Sequence, residues 1–390
     1  MMNLVKRLKK YSLLEWLFFG IIFSMNSPWI VWANNLSSII QYSCVFLSLI
    51  IVFKDKRSIG PKEWLIFVLL IAYFVLGQVF HEVRLSYLFI CGSYLLASKI
   101  KLIEASNLIN LVTSYLFLSI IIPLPLWLIH IYISPLPTIG IIEAPWKEGV
   151  EFVYENHFFF LTVEGLEAMR FYSWYDEPGV LGTIAAFVLW ANNYNLKDKR
   201  IIVILIGSLL TFSIAYYILL VLGWLYNSIG SMKKFIISSI VFALIGFVAY
   251  SLLKDNIAFE QSVVNRIIDY DEYGLQARTS DDVDVLWKRS LNNNDLIWGL
   301  GSGTVGIARS YKNFVIEFGF VGFFILIIAY FSLIKKRNIK SLFTLFLFVL
   351  AFLQRPQMFT AYEFVLFSCI VTLIADEYKQ KKTGLQLGNS

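Results

Sequence analysis

Arg170 opens the stretch Arg-Phe-Tyr-Ser-Trp-Tyr-Asp-Glu-Pro-Gly-Val-Leu-Gly, residues 170–182, which combines an arginine, four aromatics, an acidic pair and a Pro-Gly helix start. A guanidinium near a membrane surface can clamp a phosphate through two parallel N–H donors. The same residue also fits a solvated loop or an interfacial anchor. Asp176 and Glu177 directly precede Pro178, and proline suits the first turn of a helix. Glu177 can serve there as a base or as an acceptor for a sugar hydroxyl. Plain capping fits equally, because acids favour a helix N-terminus.

A second stretch, Arg278-Thr-Ser-Asp-Asp-Val-Asp-Val-Leu-Trp-Lys-Arg289, alternates charged and apolar residues. That pattern predicts an amphipathic helix at an interface, with Arg278 and Arg289 three turns apart on one face. Trp298-Gly-Leu-Gly-Ser-Gly303 follows, and its glycines permit a tight turn whose N–H groups can meet an anion. It lacks the lysine and the strand-turn-helix setting of a nucleotide loop. Further ionisable residues fall at the ends of apolar segments: His81, Glu82 and Arg84, Glu317, Gln354-Arg355-Pro356-Gln357, and Glu363. Such residues are costly beside lipid unless they face a cavity, and Glu317, one turn inside its segment, is the sharpest candidate.

What must position these groups is a membrane protein. Hydrophobic residues make up 58% of the chain, charged residues 15%, and mean hydropathy is +0.68, which excludes an ordinary soluble domain. Apolar runs of near-spanning length recur throughout and do not alternate, which predicts an all-α polytopic architecture and not a barrel. The expected segments are 13–32, 37–53, 63–80, 83–98, 107–134, 178–195, 201–212, 214–229, 235–253, 313–334, 341–353 and 359–375. They make about twelve transmembrane helices in one integral domain, residues 1–390. Cys44, Cys91 and Cys369 lie within apolar runs, and His81, His130 and His157 are scattered, so no metal ion is expected. His130 reads as a packed interfacial histidine.

One set of connections holds 22 of the 33 basic residues but only 7 of the 27 acidic ones. By the positive-inside rule that side is cytoplasmic, and both termini lie there. The net charge of +6 therefore reports topology, and no nucleic acid is expected. The same parity requires 201–229 to be a short hairpin with its apex at Thr211-Phe-Ser213, beside a protein-lined or wet cavity. Two large loops remain on the other side, 135–177 and 254–312, far longer than connection requires.

In the order and sidedness of these motifs the chain resembles the bacterial O-antigen polymerase (Wzy-type) family, within the wider group that includes the O-antigen ligases. The residues that carry the resemblance are Arg170, Glu177-Pro178-Gly179, Leu209-Leu-Thr-Phe-Ser213, Arg278, Trp287, the glycine run 299–303, Asn313, Glu317-Phe-Gly319 and Gln354-Arg355-Pro356. The ligases characteristically carry a histidine in the second large loop, and none stands at 254–312. The resemblance implies glycosyl transfer at the periplasmic face of the inner membrane, without metal or cofactor. Donor and acceptor would both be undecaprenyl-diphosphate-linked oligosaccharides, and the growing glycan would pass to the non-reducing end of a new repeat unit. By the same resemblance Arg170, Arg278 and Arg289 would stabilise the diphosphate, and Glu177 or Glu317 would act as base. Tyr172, Trp174, Tyr175, Asn313, Arg355 and Arg84 would contact substrate. Membrane lipid, a chain-length regulator and a flippase of the same pathway are the expected partners. The alternatives are an O-antigen ligase and, from another class, a flippase, which would carry polar residues mid-membrane and short loops.

Overall fold

A computed structural model describes residues 11–78, 81, 82, 84–143, 153–163, 170–229, 231–233, 235–237, 239, 240, 243, 250, 251, 259–265, 281–305, 310–354 and 358–382. Arg278, Arg355 and most of the segment 235–253 lie outside these residues. The described chain is mostly helical. Four stretches are long and apolar enough to cross a membrane: Leu36–Lys54, Pro61–Gln78, Leu102–Tyr132 and Tyr311–Leu333. Several shorter apolar helices accompany them, as a membrane-embedded helical protein requires.

The chain divides into two compact units. The first comprises Met1–Met25, Leu36–Val112 and Thr279–Ser390. It contains α1 (Leu13–Met25), α3 (Leu36–Lys54), α4 (Pro61–Phe74), α5 (Leu85–Ser98) and the start of α6 (Leu102–Ile121). It also holds α11 (Asp281–Asn292), α12 (Tyr311–Leu333), α13 (Ile339–Gln354) and α14 (Ala361–Lys382). Here α1 packs on α3, α14 on α1 and α5, and α12 on α4. Stacked rings fill the interior, Phe74 on Phe359 and Tyr330 on Phe364, with centroids 4.2 and 4.7 Å apart. Arg57 grips both carboxylate oxygens of Glu104, at 2.9 and 2.6 Å, and ties the α3–α4 connection to the start of α6.

The second unit comprises Asn26–Asn35 and Thr113–Arg278. It holds α2 (Trp29–Trp32), the rest of α6, α7 (Pro123–Tyr132), α8 (Pro178–Ala191), α9 (Lys199–Leu209) and α10 (Ile214–Ser228). The sequence expectation of one helix over 13–32 fails at Pro28, which stands at the N-cap of α2 and cannot continue α1. Helix α8 is apolar on every side and is accordingly buried, packed on α9 and α10. The expected hairpin is present, with helix ends at Leu209 and Ile214.

One departure from an all-α fold lies in the first large loop. A three-stranded antiparallel sheet forms in the order β1 (Gly140–Glu143), β2 (Val153–Asn156), β3 (Leu161–Val163). Ile142 stands opposite Tyr154, and Tyr154 opposite Val163. Tyr154 and Val163 join Leu161 and Tyr172 in a small core, against which Trp29 and Trp32 pack. β-branched and aromatic residues favour such strands, but three or four residues each are too few to show in periodicity.

Candidate functional site

In the second unit the site is built from the end of a helix. Helix α9 stops at Leu209, and the carbonyls of its end and of the turn that follows need donors. The Tyr217 hydroxyl donates to the Leu209 carbonyl at 2.6 Å, and the Phe171 N–H to the Leu210 carbonyl at 2.9 Å. Arg170 takes the carbonyls of the turn that follows. Its Nε donates to the Thr211 carbonyl at 3.1 Å and its Nη2 to the Phe212 carbonyl at 3.4 Å. Arg170 is 7% exposed, so the solvated-loop alternative is excluded. A cation at a helix C-terminus also meets the negative end of the helix dipole.

Phe212 bends the apex with φ of +46° and packs its ring 5.6 Å from that of Phe259. Phe259 and Val263, at the start of the second large loop, thus sit on the hairpin apex. Sequence reasoning missed both, because nothing in their spacing distinguishes them from other loop apolars. Ser213 caps α10, its Oγ accepting from the Tyr216 N–H at 3.4 Å.

The segment that follows Arg170 is anchored from several sides. The Leu161 N–H donates to the Ser173 carbonyl at 2.7 Å, and Tyr154 Oη to the Asp176 carbonyl at 2.5 Å. Trp32 Nε1 donates to the Trp174 carbonyl at 3.2 Å. Glu177 is the N-cap residue of α8, half-buried, and its side chain makes no capping hydrogen bond. Two expected sugar contacts need correction. Tyr172 and Tyr175 are fully buried, so their rings belong to the core and offer no face to a ligand. Burial pushes the Tyr175 phenol up to about 12. Of the three aromatics, Trp174 alone keeps partial exposure.

In the first unit a second cluster forms around a broken helix. At Gly319, with φ of +65° and ψ of 175°, α12 leaves helical geometry and then resumes. The carbonyls freed by the break are satisfied by the glycine run. The Leu300 N–H donates to the Ile316 carbonyl at 2.7 Å and the Gly301 N–H to the Glu317 carbonyl at 3.0 Å. Tyr73 Oη lies between the Trp298 and Phe318 carbonyls, at 2.8 and 2.7 Å, and shares its one proton with them. Glu317, 8% exposed, turns its carboxylate onto the same loop, with Oε1 accepting the Gly303 N–H at 3.0 Å. Gln78 Oε1 accepts the Ser302 N–H at 2.8 Å, and Ser302 Oγ donates to the Glu82 carbonyl.

Four consecutive loop N–H groups therefore have protein acceptors, which corrects the expectation of an anion nest at 299–303. Asn313 needs the same kind of correction. It is buried at the start of α12, where its Oδ1 accepts from the N–H and Oγ of Ser310, so it is a capping residue. Arg84 stands exposed beside Glu82 at 2.7 Å and lies within the electrostatic reach of Glu317. Arg289 is on α11, exposed, while the expected common face with Arg278 falls outside the described residues. Lys312 Nζ joins α12 to Asp284 of α11 at 2.7 Å.

No family model, no curated protein and no solved structure matches this chain.

Proposed function

We propose that this chain is a polysaccharide polymerase of a bacterial inner membrane, acting at the periplasmic face on undecaprenyl-diphosphate-linked repeat units. The observation that carries the proposal is Arg170, a buried guanidinium held by the Thr211 and Phe212 carbonyls at a helix break. Seven residues further on, the segment delivers the half-buried Glu177 to the start of α8. Two stretches far apart in sequence, each part of the resemblance, thus meet at one point. The clustering of Glu317, the glycine run and the Gly319 break supports the same reading in the other unit.

In this proposal about twelve helices cross the membrane, with both termini cytoplasmic and the loops 135–177 and 254–312 outside. The leaving group is undecaprenyl diphosphate, whose developing charge a pre-oriented guanidinium stabilises without reorganising at the moment of reaction. Arg278 and Arg289 are the further cations and Glu177 the base that takes the acceptor hydroxyl's proton. Glu317 already holds the Gly303 N–H, so its first duty is to position that loop. Trp174 and Arg84 keep the exposure that substrate contact needs. The gene-deletion glycan profile tests the proposal. Single repeat units should accumulate on lipid and on the acceptor core, and the chain restored in trans should return the ladder. Long unligated polymer in the deletion strain would mean a ligase instead.

A further inference from the structure

Exposed apolar side chains gather around β1 and the β2–β3 turn. Ile141 of β1, 68% exposed, lies on the face opposite the one that Tyr154 buries against Trp32, and Ile139, just before the strand, is 58% exposed. The β2–β3 turn presents Phe158 and Phe159, 51% and 38% exposed, and Phe158 holds a left-handed φ of +70°. Helix α7 ends on Tyr132 and Ile133, which are 65% and 78% exposed. In water, one sheet and one helix end with this much uncovered apolar surface are unfavourable.

The sheet is fixed to that helix. The Leu136 N–H donates to His130 Nδ1 at 3.0 Å, and His157 Nδ1 meets the Pro137 carbonyl at 3.2 Å. The His130 and His157 rings lie 4.3 Å apart. Helix α7 closes the candidate span Leu102–Tyr132, whose exposed residues include Leu118, Ile122 and Leu128. The apolar patch therefore continues the exposed apolar surface of that candidate span. Glu143 and Glu155 stand on the same face as Ile141, and Glu155 is held by Thr162 at 3.3 Å with His157 Nε2 at 3.8 Å. Carboxylates beside exposed isoleucines and phenylalanines match the headgroup zone, where apolar side chains dip toward acyl chains and charges stay wet.

We infer that the β1–β3 sheet lies on the phospholipid headgroup layer, with Ile139, Ile141, Phe158 and Phe159 inserted at the acyl boundary. The proposal stands on this patch alone and holds whatever reaction the chain performs. Because Leu161 of β3 is hydrogen-bonded to Ser173, the seat of the sheet sets the depth of the Arg170 segment.

The test uses the full chain in phosphatidylethanolamine–phosphatidylglycerol vesicles. Phe158→p-benzoylphenylalanine and, separately, Ile141→p-benzoylphenylalanine are irradiated, and the adducts are identified by mass spectrometry. Phospholipid adducts as the dominant product at both positions are expected. A covalent dimer would assign the patch to a second copy, and absence of adducts would assign it to solvent. Either outcome, at either position, overturns the inference. Phe159 and Ile139 replace any position whose variant does not fold.

Discussion

A buried guanidinium is tolerated only when its N–H groups meet acceptors, and Arg170 meets carbonyls that would otherwise be unsatisfied themselves. Each side of the contact accounts for the other. Arg170→Lys keeps the charge but replaces a planar fork by a single ammonium. The variant should remain in the membrane fraction, lose about 1–3 kcal/mol of stability in thermal unfolding, and make no polymer ladder. A full ladder from Arg170→Lys would leave only a charge requirement at this position. Arg170 stood out in the sequence by its setting before an acidic helix start. Its acceptors were not, because Thr211 and Phe212 are more than forty residues away and offer their backbone. Tyr172 and Tyr175 misled for the converse reason, since an aromatic run reads alike whether it faces a sugar or a core.

At the scale of elements, both clusters follow one rule. A helix interrupted at membrane depth must have its loose carbonyls satisfied by protein. The turn at 210–213 is closed by Arg170 and Phe171, and the break at Gly319 by the glycine run and Tyr73. A Cβ on Gly319 would meet the Ile297 carbonyl oxygen at 2.4 Å, in a backbone region essentially reserved for glycine. Gly319→Ala should therefore cost about 3 kcal/mol or more, read as a fall in the thermal unfolding midpoint. Gly140→Ala, with nothing within 4 Å of its added carbon, should change stability by about 0.5 kcal/mol or less. Equal shifts in the two variants would contradict a tightly closed break at Gly319. The hairpin was legible because lysine parity demanded an extra crossing at 201–229. The Gly319 break was not, because glycine is ordinary in apolar helices and the loop that crowds it comes from elsewhere in the chain.

For the whole molecule, the prediction concerns sidedness. Asn195 lies exposed among the connections rich in lysine, and Glu143 lies exposed in the first large loop. In intact cells a membrane-impermeant maleimide should label Glu143→Cys, while Asn195→Cys should be labelled only after the membrane is opened. The native thiols give little background, since Cys91 and Cys369 are buried and Cys44 is partly so. Reversed labelling would invert the assignment of the inner and outer faces.

The sequence by itself determined the helical membrane class, nearly every apolar helix among the described residues, the hairpin, and the helix Asp281–Asn292. Those follow from transfer of side chains out of water, a local property that each segment carries alone. Only the tertiary structure decided that Arg170 is buried, that the glycine run closes a broken helix, that Asn313 caps, and that a sheet forms in the first loop. Each of these pairs a backbone or side-chain group with a partner distant in sequence, and hydrophobicity read along one segment carries no record of such partners.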